Sequence, residues 1–116
     1  MKPIEKENVQ EVLDKLLNEK LFVHLETTTG AYANHFDEKN MTVAAFIRNV
    51  PICFSQAKIK GPGPYRIGLK IEQGWVYAEG ITDWEINDQS QVLLAGHDKE
   101  GRLAISLQLS KQPFNE

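Results

Sequence analysis

The groups in this chain best suited to chemistry are three histidines, one cysteine and a few aromatic and basic residues. If Thr29-Gly30 is a two-residue hairpin loop, Leu21, Val23 and Leu25 share a face with Tyr32 and Phe36. His24 then falls opposite His35, with Glu26 and Asp37 on the same face and Cβ atoms about 5 Å apart. Two imidazoles beside carboxylates are the raw material of a divalent metal site, and His97, Glu26 or Asp37 would supply a third ligand. No fixed-spacing motif such as H-E-x-x-H accompanies them. The plainer reading makes His24 and His35 polar residues on a partly exposed sheet face, hydrogen-bonded locally. A one-residue slip at the turn would separate the pair.

Other nucleophiles are less promising. Cys53 lies in Pro51-Ile52-Cys53-Phe54, which reads as a buried strand in which the thiol is a small hydrophobe. The serines lack nucleophile-elbow glycines. No catalytic residue is assigned. The segment Gly61-Pro62-Gly63-Pro64-Tyr65-Arg66 is not a phosphate loop, because two prolines remove amide donors. It reads as a rigid connection, or as a rim presenting Tyr65 and Arg66. Trp75 and Tyr77 alternate onto the polar side of their strand, where large aromatics are typical of interfaces. Trp75, Tyr77, Tyr65 and Arg66 are therefore the candidate ligand or partner face. Cover by the helix or by Pro113-Phe114 is the alternative, and without it a C2 homodimer is expected.

These residues need elements to position them. Val9, Val12, Leu13, Leu16 and Leu17 recur at helical spacing, which predicts one amphipathic helix over 4–20 covering an open side of a sheet. Either Pro3 or an Asn8–Glu11 capping box would start it. From Leu21 the period falls to two. Strands are expected at 21–27, 31–36, 42–48, 52–60, 65–72, 75–86, 91–97 and 102–109, with turn residues between them. A Gln73-Gly74 loop would place Ile71 opposite Val76, Lys70 opposite Tyr77 and Glu72 beside Trp75. A turn at Asp98 to Gly101 would put Val92 and Leu94 on one face with Leu103, Ile105, Leu107 and Leu109. All three histidines then lie off the core face. The expected fold is mainly β: a small distorted sandwich or partly open barrel of antiparallel strands, with one N-terminal helix. It forms a single domain over 1–116, helix 4–20 and β structure 21–110.

Composition sets outer limits. With 116 residues and 41% hydrophobic content, the chain can bury a core without disulfides or structural metal. A lone cysteine excludes an internal disulfide and a Cys-rich zinc site. The net charge of −3 argues against a large basic footprint, so no nucleic-acid partner is expected. Charge is nonetheless uneven. Lys58, Lys60, Arg66 and Lys70 come without an acid between 57 and 71, and the acids Glu72, Glu79, Asp83, Glu85, Asp88 and Asp98 follow without a base. Cross-strand ion pairs are the simplest use of that pattern. The charged N-terminus carries no apolar secretory segment and no run is long enough to cross a membrane, so a cytoplasmic protein without membrane contact is expected.

Several runs carry a family likeness: His24-Leu25-Glu26-Thr27-Thr28 with Gly30-Ala31-Tyr32, Ala45-Phe46-Ile47-Arg48-Asn49, and Gly61 to Arg66. Gly74-Trp75-Val76-Tyr77-Ala78-Glu79-Gly80 and Leu94-Ala95-Gly96-His97-Asp98-Lys99-Glu100-Gly101-Arg102-Leu103 extend it. Together they resemble the YojF-like family of small uncharacterised bacterial proteins, over essentially the whole chain. The resemblance implies a mainly β, sandwich-like fold and supplies no catalytic residues. Members tend to be encoded beside a zinc-dependent deacetylase of low-molecular-weight thiol metabolism, which implies a shared pathway or a deacetylase partner. The expectation is a non-enzymatic accessory or binding protein with no cofactor; the alternative is a small metal-dependent enzyme using His24 and His35.

Overall fold

The computed structural model describes residues 1–29 and 43–115. Two antiparallel sheets pack face to face. The larger uses β1 (Lys2–Pro3), β2 (Leu21–Thr29), β3 (Val43–Ile52), β7 (Asp83–Ile86), β8 (Val92–His97) and β9 (Leu103–Ser110), in the order β1-β7-β8-β9-β2-β3. The smaller uses β4 (Gln56–Lys60), β5 (Tyr65–Ile71) and β6 (Gly74–Ile81), in that order. Among the described residues the sheets do not close into a barrel, so the fold is a distorted sandwich. Strand alternation fills the space between them. Val23, Leu94 and Leu107 from one sheet meet Ile67, Leu69 and Ile81 from the other, all fully buried.

Helix α1 (Lys6–Asp14) covers an open side of this sandwich, burying Val9 and Leu13 in the shared core. It is shorter than the 4–20 expected and starts at neither proposed cap: Glu5 is the N-cap and makes no side-chain capping bond. After Asp14 the chain tightens into three-residue turns, with Leu16 N–H bonded to Leu13 O. Asn18 then takes a left-handed φ of 64° and donates its N–H to Phe54 O, which stops the helix. Leu16 and Leu17 still pack on the core, so the expected apolar stripe faces it although its last turns are not α-helical. Gln10 reaches past the helix to β4, donating to Ala57 O at 2.7 Å and accepting from Ile59 N–H at 3.0 Å. An edge strand with open peptide groups is thereby closed by a side chain.

Several strand boundaries differ from expectation. Asn49 does not end a strand; with φ 58° it sits in β3, where the pairing with β2 shifts. The break comes after Ile52 and resets the alternation. Phe54 is therefore fully buried and Cys53 exposed, the reverse of the expected buried cysteine. The expected 75–86 strand divides at Thr82, where the chain passes from the smaller sheet to the larger. Gly80 turns there with φ 86°, and its carbonyl lies so close to Gly96 that a Cβ on Gly96 would sit 2.0 Å from it. Trp84 joins the core, whereas Ile86 stays exposed.

The hairpin registers set the faces. In the β8–β9 hairpin Val92 and Leu94 share a face with Leu107 and Leu109 as expected, Val92 opposing Leu109 and Leu94 opposing Leu107, with the register shifting between Gly96 and His97. The β5–β6 loop is Glu72-Gln73, not Gln73-Gly74, with Ile71 opposite Gly74 and Leu69 opposite Val76. Neither loop residue takes positive φ; Gly74 does so as the strand begins (φ 152°), which moves the loop back by one residue. The slip preserves which residues share a face but changes the neighbours. Lys70 lies beside Trp75 and Gly68 beside Tyr77, correcting the expected Lys70–Tyr77 pair. The expected 31–36 strand lies outside the described residues. On either side of His24 stand Arg48 of β3 and Gln108 of β9. Both neighbouring places of His24 in the sheet are thus taken, and the expected partner His35 lies outside the described residues.

Candidate functional site: the outer face of the three-stranded sheet

Alternation along β4, β5 and β6 directs nine side-chain positions outward in three cross-strand rows. Gln56, Lys70 and Trp75 form one row, Lys58, Gly68 and Tyr77 the next, and Lys60, Arg66 and Glu79 the third. The middle row is decisive. Gly68 contributes no side chain, and the aromatic rings of β6 lie over it: a Cβ there would be 2.9 Å from Tyr77 Cε1 and 3.5 Å from Trp75 Cε3. Above that floor Trp75 and Tyr77 stack on each other, with centroids 5.6 Å apart and planes 8° from parallel. Trp75 is 40% exposed and Tyr77 51%.

Arg66 extends the ladder. Its guanidinium carbon lies 5.3 Å from the Tyr77 centroid, and it pairs with Glu79 at the end of the face. Of the expected cross-strand ion pairs between the basic and acidic runs, this one forms. The side chains of Lys58, Lys60 and Lys70 make no ion pair or hydrogen bond among the described residues. The acidic run largely goes elsewhere: Asp83 and Glu85 belong to β7 of the other sheet. Tyr65 parts from the predicted group. It is half-buried against the core, opposite Ile81, and Arg66 next to it points outward. The two meet only at a recess of about 430 Å³ beyond the face, shared with Lys60, Pro64 and Glu79. Neither α1 nor Pro113-Phe114 covers Trp75 and Tyr77; Phe114 is buried on the other sheet.

That other outer face holds the two described histidines, separately. His24 is 7% exposed, between Phe46 and Phe114 with ring centroids 6.4 Å away in each case. Arg48 donates to His24 Nδ1 at 3.2 Å, which leaves Nε2–H to donate to Glu26 at 3.1 Å. Both ring nitrogens are thereby engaged. The C-terminal segment is strapped over this group: Asn49 accepts from Phe114 N–H at 2.6 Å and donates to Phe114 O at 2.9 Å, and Arg48 donates to Asn115 O. His97 lies at the end of β8, four residues along and two strands across from the level of His24, roughly 15 Å away. There its Nδ1 meets Asp83 Oδ1 at 3.1 Å, beside a recess of about 350 Å³ that includes Arg102. Donation from the Thr82 hydroxyl at 2.6 Å, aided by His97, holds the Asp83 carboxyl below the usual carboxylate range. Among the described residues no three histidine, cysteine or carboxylate groups converge as metal ligands.

The geometry defines a class first: a two-sheet, mainly β protein with an aromatic–cationic face on the small sheet and engaged histidines on the large one. The comparisons place it further. Residues 3–114 match the family described as "Protein of unknown function (DUF1806)", and this chain belongs to that family. The "Uncharacterized protein YojF" of Bacillus subtilis (strain 168) is 54% identical over 114 residues, 98% of each chain. A crystal structure of Bacillus subtilis YojF protein superposes with a TM-score of 0.84 at 47% identity, covering 99% of this chain and 97% of that one. No helix among the described residues is long and apolar enough to cross a membrane.

Local periodicity alone does not single out Gly68 or Lys58. The signal was present in QAKIK and YRIGLKI, whose alternate positions give Lys58 with Lys60 and Arg66 with Gly68 and Lys70. Joining those sets required the strand pairing.

Proposed function

We propose that this chain is a non-enzymatic binding protein whose working surface is the outer face of β4, β5 and β6. The observation that carries this reading is the Trp75–Tyr77 stack, open to solvent among lysines whose side chains have no ion-pair partner among the described residues. Large rings left at a surface forgo burial worth about 1.5–3 kcal/mol each, and covering them on binding recovers part of it. The face is also built to hold its shape, since Gly68 seats the rings and Arg66 braces the stack. An amide-shift map with a panel of small acids, nucleotides, sugars and short acidic peptides tests the reading. Perturbations clustered on Lys58, Gly68, Lys70, Trp75 and Tyr77 support it. Binders that map only to the His97 recess or the His24 face refute it. The deacetylase partner implied by the family resemblance is a further arm: a deacetylase that docks here loses affinity with Trp75→Ala.

A further inference from the structure

On the strength of that proposed binding face, we infer that its occupant is single-stranded nucleic acid, held by base stacking on the open side of Trp75, at the free end of the Trp75–Tyr77–Arg66 ladder, and by phosphate contacts to Lys58, Lys60 and Lys70. Three features of the face lead there. The first is charge. Its nine outward positions hold four cations and one carboxylate, Glu79, which Arg66 already engages. Glu72, in the adjoining loop, is the only other acid near it in the β5–β6 hairpin. The chain's net charge of −3 hides this patch, because the compensating acids lie on other elements. The face itself is thus cationic, with the α1 carboxylate Asp14 held at its β4 edge through Gln10, and an anionic occupant complements it. A second copy of this chain fits poorly, since a two-fold contact would press the same cations together.

The second feature is shape. Three strands about 4.8 Å apart and three outward rows about 6.8 Å apart give a platform of roughly 10 by 14 Å. A platform of that size takes a base on Trp75 with the flanking phosphates over the lysines of the neighbouring strands. The third is the chemistry of the middle row. An acidic peptide would satisfy the lysines but brings no obligatory ring to the aromatics. Each nucleotide brings both a ring and a charge, in the same alternation the face presents. Base stacking tolerates any sequence, so strand preference is expected to be weak.

The test is fluorescence anisotropy with labelled twelve-residue oligothymidylate and oligouridylate on the full chain. With three lysines on phosphates, log affinity falls against log salt with a slope of about −2, a loss of roughly twentyfold between 50 and 200 mM. Trp75→Ala weakens binding at least fivefold, and Trp75→Phe restores most of it. The exposed double variant Lys58→Gln/Lys70→Gln, which disturbs no packing, reduces the slope to about −0.7. That variant keeps the test valid should Trp75→Ala fail to fold. Absence of binding to both oligonucleotides at 50 mM salt overturns the inference. Equal binding of polyglutamate, unaffected by Trp75→Ala, also overturns it but leaves the binding face standing. A dimer that Trp75→Ala converts to monomer assigns the face to a second copy and overturns it as well. Shift perturbations that map away from β4–β6 overturn both this inference and the proposed function.

Discussion

At the scale of single residues, two buried glycines serve opposite purposes. Gly96 allows backbone to approach backbone, and an added Cβ meets the Gly80 carbonyl at 2.0 Å. Gly96→Ala is expected to destabilise the fold by about 3 kcal/mol or more, read from urea unfolding, because neither strand can yield. At Gly68 the atom in the way is the edge of the Tyr77 ring. Gly68→Ala should cost within about 1 kcal/mol, yet tilt Tyr77 and change the emission of Trp75 stacked on it. Asp83 adds a pH dependence. Its carboxyl is held below the ordinary value near 3.8 by the Thr82 hydroxyl and His97, so the stability it contributes is present above that value. That contribution is lost as the pH falls through the lower, folded-state value. Urea midpoints at pH 5 and pH 3 should therefore fall more steeply in the native chain than in Asp83→Asn.

At the scale of elements, two additions finish a sandwich that its strands leave incomplete. Helix α1 supplies Val9 and Leu13 to the core and Gln10 to the β4 edge. Gln10→Ala leaves the Ala57 and Ile59 peptide groups without that partner. A loss of about 1–2 kcal/mol is expected, with faster hydrogen exchange at the Ile59 amide. The C-terminal strap covers His24 with Phe114, itself 7% exposed. Phe114→Ala is expected to cost about 2–3 kcal/mol and to open His24 to diethyl pyrocarbonate, located by peptide mapping. The helical period and the strand alternation made most of these elements legible before any coordinates. Their ends were less so. Asn18 and Asn49 both take left-handed backbone, one stopping a helix and the other staying within a strand, and composition alone does not separate those uses.

At the scale of the molecule, the fold sorts charge and aromatic surface between its two sheets. Basic β4 and β5 present their lysines on one side, and the acids of β7 belong to the other sheet. Because Lys58 and Lys70 make no ion pair among the described residues, Lys58→Gln/Lys70→Gln should shift stability by no more than about 0.5 kcal/mol in urea unfolding. A larger loss would show that these lysines support the fold, and the case for a surface reserved for binding would weaken accordingly.

The sequence by itself determined that the chain is mainly β with one amphipathic helix, and that Trp75, Tyr77 and Lys70 share a face. Both follow from local periodicity, which a two-residue slip in pairing leaves intact. Only the tertiary structure decided which residues are neighbours across strands. It set Arg48 and Gln108 beside His24. It laid Phe114 over the histidine rather than over the tryptophan. It also gathered Lys58, Gly68 and Tyr77 into one row. Those neighbours depend on turn geometry, on a bulge at Asn49 and on which sheet each strand joins. These are long-range choices made by packing the whole core at once, and no local stretch of sequence encodes them.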